Sequence, residues 1–157
     1  MIREKTCLFT GHRDLNGMLD KSCLMRGIEY VIGKGVDTFI VGGALGFDTE
    51  AALAVLEAKK SYPEIKLFVY APCKNQTQGW SFLDKRQYES ILKKADYVDM
   101  PDYDYFTGCM KIRNYKMVDS SAFCIAFFNG NNHSGTGQTY NYAKKCGLSV
   151  YNIYGKN

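Results

Sequence analysis

Apolar residues fall into short unbroken runs, separated by longer stretches in which they recur every three or four positions. Unbroken runs of β-branched and aromatic residues read as buried strands, and the wider spacing reads as helix with one apolar face. KTCLFTG (5–11) predicts a first strand. LNGMLDKSCLMRGIEYVIGKG (15–35) predicts a helix, with Leu19, Leu24, Ile28, Val31 and Ile32 on one side. VDTFIVGG (36–43) is a second strand, and TEAALAVLEAKKSY (49–62), rich in good helix formers, a second helix. IKLFVYAP (65–72), FLDKRQYESILKKA (82–95) and DYVDMP (96–101) continue as strand, helix and short strand. KIRNYKMVDSS (111–121) is helical, AFCIAFFN (122–129) a buried strand, QTYNYAKKCG (138–147) a helix and LSVYNIY (148–154) the last strand.

Strands joined through helices become parallel neighbours, with helices covering both faces of the sheet. The pattern therefore predicts an α/β chain: a single Rossmann-like, doubly wound domain over residues 1–157 with a mainly parallel sheet. No internal repeat, low-complexity segment or linker divides it.

Composition changes this picture little. The length suits one domain with a real core, and no run of about 18 apolar residues is present to span a bilayer. MIREKTCLFTGHR lacks the apolar stretch of a signal peptide, so the expectation is a cytoplasmic protein without membrane contact. Six cysteines show no C-x-x-C spacing and read as free thiols. Cys7, Cys124 and Cys146 lie in or beside apolar segments, and Cys73 and Cys109 read as exposed, reactive candidates. His12 and His133 have no cysteine at ligand spacing, so no metal site is expected. The net charge of +4 suits an anionic ligand and falls short of a nucleic-acid footprint.

In doubly wound sheets ligands bind beyond the carboxyl ends of the strands, near the point where strand order reverses. Four strand ends here are rich in glycine or polar groups. Thr10-Gly11-His12-Arg13 follows the first strand, and Gly42-Gly43-Ala44-Leu45-Gly46-Phe47-Asp48 the second. Pro72, Gln76, Gln78 and Trp80 follow the third, and Asn129 to Thr139 the penultimate one. Glycines let a backbone turn sharply or let a ligand approach without a Cβ in the way. A helix beginning just beyond such a loop offers free N–H groups to a phosphate. Two such junctions, GGALGFD and SGTGQT, suit a nucleotide-derived ligand; the spacing is not the G-x-G-x-x-G of dinucleotide binding.

Most of these residues have two readings. Gly42 and Gly43 serve packing or ligand approach, and Gly46 shares their loop. Asp48 caps the second helix, contacts a ribose, or both. Arg13 binds an anion or pairs with a surface carboxylate, and His12 reads as a hydrogen-bonding loop residue. Arg113, beside Asn114, reaches the crevice or solvent. Trp80 is a core aromatic or a stacking wall for a base, and PDYDYFTG (101–108) a surface loop or a lid.

TGHR (10–13), GGALGFD (42–48), Q-x-Q-x-W (76–80), YESILKKADYV (88–98), RNYKMVD (113–119) and SGTGQTYNYAKK (134–145) run through nearly the whole chain. Together they resemble the SLOG superfamily, the Rossmann-like group that includes the LOG phosphoribohydrolases and the DNA-processing protein DprA. The stand-alone YpsA-like family is the closest match within it. The resemblance implies a pocket for a nucleotide or nucleotide derivative and singles out no cofactor beside that ligand. Gly11, His12, Arg13, Gly42, Gly43, Ala44, Gly46, Asp48, Trp80, Arg113, Asn114, Ser134, Gly135, Thr136, Gly137 and Thr139 would form it. LOG enzymes carry G-G-x-G-T-x-x-E, whose glutamate works at the glycosidic bond; the equivalent stretch here, from Ser134 to Tyr140, has no acid.

The expectation is a nucleotide-binding sensor or regulatory protein. Hydrolysis of a nucleotide, with Asp48 or Asp119 as the acid, is the alternative. DprA-like binding of single-stranded DNA is a third reading, disfavoured by the mild charge. A Tyr- and Phe-rich composition suits a homodimer or another protein partner.

Overall fold

The computed structural model describes residues 1–157. Six strands, β1 (Thr6–Gly11), β2 (Thr38–Val41), β3 (Lys66–Tyr70), β4 (Tyr97–Asp99), β5 (Phe123–Phe127) and β6 (Ser149–Asn152), form one sheet in the order β4-β3-β2-β1-β5-β6. Every neighbouring pair is parallel. The helices are α1 (Lys21–Gly33), α2 (Phe47–Ala58), α3 (Phe82–Lys94), α4 (Cys109–Asp119) and α5 (Gly135–Lys145). The chain winds outward from β1 to β4, then crosses back to β5 and β6 on the other side. Strand order therefore reverses between β1 and β5, and the loops leaving those two strands flank the crevice.

Burial on both faces explains the unbroken apolar runs. Cys7, Phe9, Phe39, Val41, Ile125 and Phe127 belong to a cluster with α1 and α2. The alternate residues Leu8, Ile40, Cys124 and Ala126 pack with Met117 and Val118 of α4 and Ala143 of α5. Small side chains at Cys124, Ala126 and Ala143 allow those two helices to lie close against the sheet.

Several boundaries differ from the predicted ones, and capping explains two of them. The side chain of Asp20 accepts hydrogen bonds from the amides of Ser22 (2.8 Å) and Cys23 (3.2 Å), so α1 starts at Lys21 and not near residue 15. Leu15 and Leu19 still pack on the core from the preceding loop. At α5, the Ser134 side chain accepts from the Gly137 amide (2.9 Å), which draws Gly135, Thr136 and Gly137 into the first turn. The helix therefore begins three residues before the predicted start at Gln138.

The cysteine expectation needs correcting. Cys73 and Cys109 are buried, not exposed, and Cys146 is the exposed thiol. Cys73 lies where β3 leaves the sheet and Cys109 opens α4, so both are enclosed by the crossover between the two faces.

Candidate functional site

A cleft of about 370 Å3 lies over the carboxyl ends of β1 and β5. Thr10, Gly11, His12 and Arg13 come to it from β1, and Ala44 and Asp48 from the glycine loop. Asn114 and Arg113 come from α4, and Ser134, Gly135 and Thr136 from the start of α5. A second compartment of about 300 Å3 adjoins it, with Trp80, Gln76 and Tyr105 in its wall. Arg13 and Met110 line both, so the two form one continuous groove.

The glycine loop is built around a buried arginine. Arg113 is 7% exposed, and its guanidinium Nη1 donates to the carbonyls of Gly42 and Tyr70, the latter at 3.0 Å. Its Nε donates to Asn114 Oδ1 at 2.8 Å. It is thus a structural bolt between β2, β3 and α4, and not a solvent-facing cation. A Cβ on Gly42 would occupy the space of that guanidinium. Gly46, at φ +81°, packs its α-carbon against the Arg13 carbonyl, and a side chain there would overlap it. Gly11 abuts the Phe47 ring, and Gly137 the Asn131 carbonyl. Packing therefore accounts for most glycines of the strand ends. Gly135 alone among the site glycines faces open space.

Asp48 is not the cap of α2; Gly46 holds that position, and the Phe47 amide donates to the His12 carbonyl at 3.1 Å. Asp48 lies one residue further on, 7% exposed, and accepts from the Ala44 amide at 3.2 Å. Burial raises its pKa above the usual carboxylate value, against the opposing pull of Arg113, the Ala44 and Gly42 amides and Arg13. With Asp48 and Glu50 in its first turn, the start of α2 already carries negative charge and is a poor phosphate site. The start of α5 carries no acidic residue and leaves the Gly135 and Thr136 amides without partners.

His12 holds the two crevice loops together. Its Nε2 accepts from the Asn129 amide at 3.0 Å, and its ring lies among Phe127, Phe128 and Tyr154. Burial lowers its pKa. Arg13 is exposed and has no carboxylate within ion-pair distance, which leaves its charge free at the junction of the two compartments.

Asp119 is misplaced as a candidate acid. It ends α4, at the amino end of β5 and so at the opposite edge of the sheet from the cleft, where it accepts from Tyr142 Oη at 2.7 Å. Gly42, Gly46, Gly137 and Thr139 do not line the cleft; Thr139 is buried and donates to the Gly135 carbonyl at 3.0 Å. Gly43 lines a small side pocket with Trp80 between α2 and α3. Tyr105 and Met110 line the groove without having stood out in the sequence. Tyr105 sits in the Asp/Tyr-rich loop, whose density of aromatics was the one available signal. Thr10 and Thr136 are 8% and 9% exposed, and their hydroxyls, without any partner in the protein, open on the cleft.

A six-stranded parallel sheet with a groove at its reversal point defines a doubly wound, Rossmann-like α/β protein. Within that class, the chain belongs to the YspA SLOG family, whose profile matches residues 7–154. It is 35% identical over 138 residues to the SPbeta prophage-derived protein YoqJ of Bacillus subtilis (strain 168), covering 80% of each chain. A UPF0398 protein of Bacillus thuringiensis (strain Al Hakam) is 29% identical over 137 residues, covering 85% of this chain and 74% of its own. Among solved structures, DNA processing protein A from Helicobacter pylori, described for its single-stranded DNA binding mode, superposes with a TM-score of 0.66 at 17% identity. That match covers 94% of this chain and 64% of the other, and it concerns the fold. No helix is long and apolar enough to cross a membrane.

Proposed function

We propose that this chain is a binding protein for a nucleotide-derived ligand, held in the cleft between the ends of β1 and β5. The observation that carries this reading is the pair of unpartnered hydroxyls of Thr10 and Thr136. Both threonines line the cleft, and their hydroxyls, which make no hydrogen bond within the protein, are open there to a ligand. The Gly135 and Thr136 amides at the start of α5 and the free guanidinium of Arg13 supply donors suited to one phosphate. Asp48 is an acceptor for sugar hydroxyls.

A thermal-shift panel of nucleotides, nucleotide sugars and ADP-ribose-type compounds tests the reading, with product formation followed in parallel. A ligand at about 100 times its Kd adds roughly 2.7 kcal/mol to the native state. The expected result is a rise in Tm with a nucleotide-type compound and no product. A Thr10→Val/Thr136→Val variant should keep its own Tm and lose that rise. No rise with any compound defeats the proposal.

Asp48 favours a second reading, hydrolysis of a nucleotide. A buried carboxyl with a raised pKa, lining the cleft, is suited to general acid catalysis. Under that reading product appears, and Asp48→Asn abolishes turnover while the shift persists. The fold shared with the DNA processing protein brings single-stranded DNA into consideration as a third ligand class.

A further inference from the structure

The compartment beside the central cleft differs from it in kind. Its wall carries the indole of Trp80, the ring of Tyr105 and the carboxamides of Asn75, Gln76 and Gln78, and it opens onto Arg13. Trp80 is held by a compact turn, with the Gln78 amide donating to the Asn75 carbonyl (3.1 Å) and the Trp80 amide to the Thr77 carbonyl (3.0 Å). Tyr88 meets the indole edge-on, with ring centroids 5.5 Å apart and planes at 80°, so it does not stack on it.

Tyr105 is placed with equal care. Its amide donates to Asn75 Oδ1 at 2.8 Å, and the neighbouring Tyr103 carbonyl accepts from the Lys74 amide at 2.9 Å. The 101–108 loop is therefore tied to the Trp80 turn at two points. Yet the Tyr105 ring is 59% exposed and packs on no other aromatic ring. The backbone bonds position an aromatic side chain at a cavity wall where the protein itself gives it nothing to stack on.

Gln76 supplies a third, independent observation. Its Nε2 faces the carbonyls of Gly42 (3.4 Å) and Gly43 (3.5 Å) and the Tyr88 hydroxyl (3.3 Å), which fixes the orientation of the amide. Its Oε1 is then left buried without a partner. The side chain is thereby pinned in the wall of the compartment by the glycine loop and Tyr88.

We propose that this compartment is a clamp for a planar nucleobase, with Trp80 and Tyr105 on its two sides and the Gln76 side chain in the wall between them. The bound molecule is then a nucleotide that keeps its base, and not a base-free sugar phosphate. The inference rests on the reading of the central cleft as the phosphate and sugar site.

Trp80 is the only tryptophan in the chain, so its emission reports on the clamp directly. The experiment titrates wild type and Tyr105→Ala with AMP, GMP, CMP, UMP and ribose 5-phosphate, following Trp80 fluorescence and calorimetric heat together. At least one nucleotide should quench the emission and bind about tenfold or more tighter than ribose 5-phosphate, as base–aromatic stacking gives. Tyr105→Ala should lose that advantage and leave ribose 5-phosphate affinity unchanged; Tyr105→Phe should keep it. If nucleotides and ribose 5-phosphate bind equally, with unchanged emission, the clamp is wrong and the phosphate site stands. If none of them binds by calorimetry, both proposals fall.

Discussion

Gly42 and Arg113 define each other's space, and that relation explains why a side chain is not accommodated at Gly42. The loop turns sharply because a buried guanidinium must reach the carbonyls of Gly42 and Tyr70. Gly46 then passes beneath the Arg13 backbone at φ +81°. Gly135, by contrast, has nothing within 4 Å of where its Cβ would lie. The two positions should respond to alanine in opposite ways. Gly46→Ala should cost about 3 kcal/mol or more in a urea titration, because strain at positive φ adds to an overlap with backbone that cannot swing aside. Gly135→Ala should change stability by no more than about 0.5 kcal/mol. Equal effects at both positions would contradict the packing role assigned to Gly46.

The elements were legible in the sequence because a doubly covered parallel sheet writes its strands as unbroken apolar runs, as at Cys7 to Phe9 and Cys124 to Phe127. The cleft was legible for a related reason: a parallel sheet with helical crossovers gathers the loops that leave its strands along one edge. What stayed hidden depends on partners distant in the chain. The burial of Arg113 needs Gly42 and Tyr70, the burial of Cys73 and Cys109 needs the crossover, and the place of Tyr105 needs Asn75. Asp119 was misread because helices run back against the strands, so the end of α4 faces away from the cleft. His12 joins the two crevice loops through the Asn129 amide, a bond that needs a neutral Nε2. Its folded pKa lies below 6.5, so the unfolded chain takes up a proton first as pH falls. The loop junction therefore contributes stability above pH 6.5 and loses it as pH drops from there through the lowered native value. Relative to His12→Gln, whose amide oxygen imitates Nε2, wild type should lose Tm between pH 7 and pH 5. Parallel Tm curves for the two proteins would show that His12 does not titrate in this way.

At the scale of the whole molecule a group of lysines lies at the pole opposite the groove. Lys59 and Lys60 follow α2, Lys93 and Lys94 end α3, and Lys144 and Lys145 end α5, all at the amino ends of the strands. Two of these are already neutralised, Lys59 by Asp96 at 2.6 Å and Lys60 by Glu57 at 2.8 Å. Of the two cations lining the groove, Arg113 is engaged inward, and Arg13 is free to meet a phosphate at the junction of the two compartments. A ligand bound there neutralises about one charge. Its affinity should then fall only gently with salt, as screening of a single ion pair gives, and Arg13→Ala should remove most of that dependence. A single-stranded DNA tracked along the surface would engage several lysines and release condensed counterions, giving a log–log slope of about −0.7 for each phosphate contacted. Fluorescence titrations of a mononucleotide and of an oligothymidylate, between about 50 and 300 mM salt, separate the two ligand classes. A steep slope for the oligomer, insensitive to Arg13, would move the functional surface from the groove to the lysine-rich pole. The charge distribution predicts instead a shallow slope that depends on Arg13.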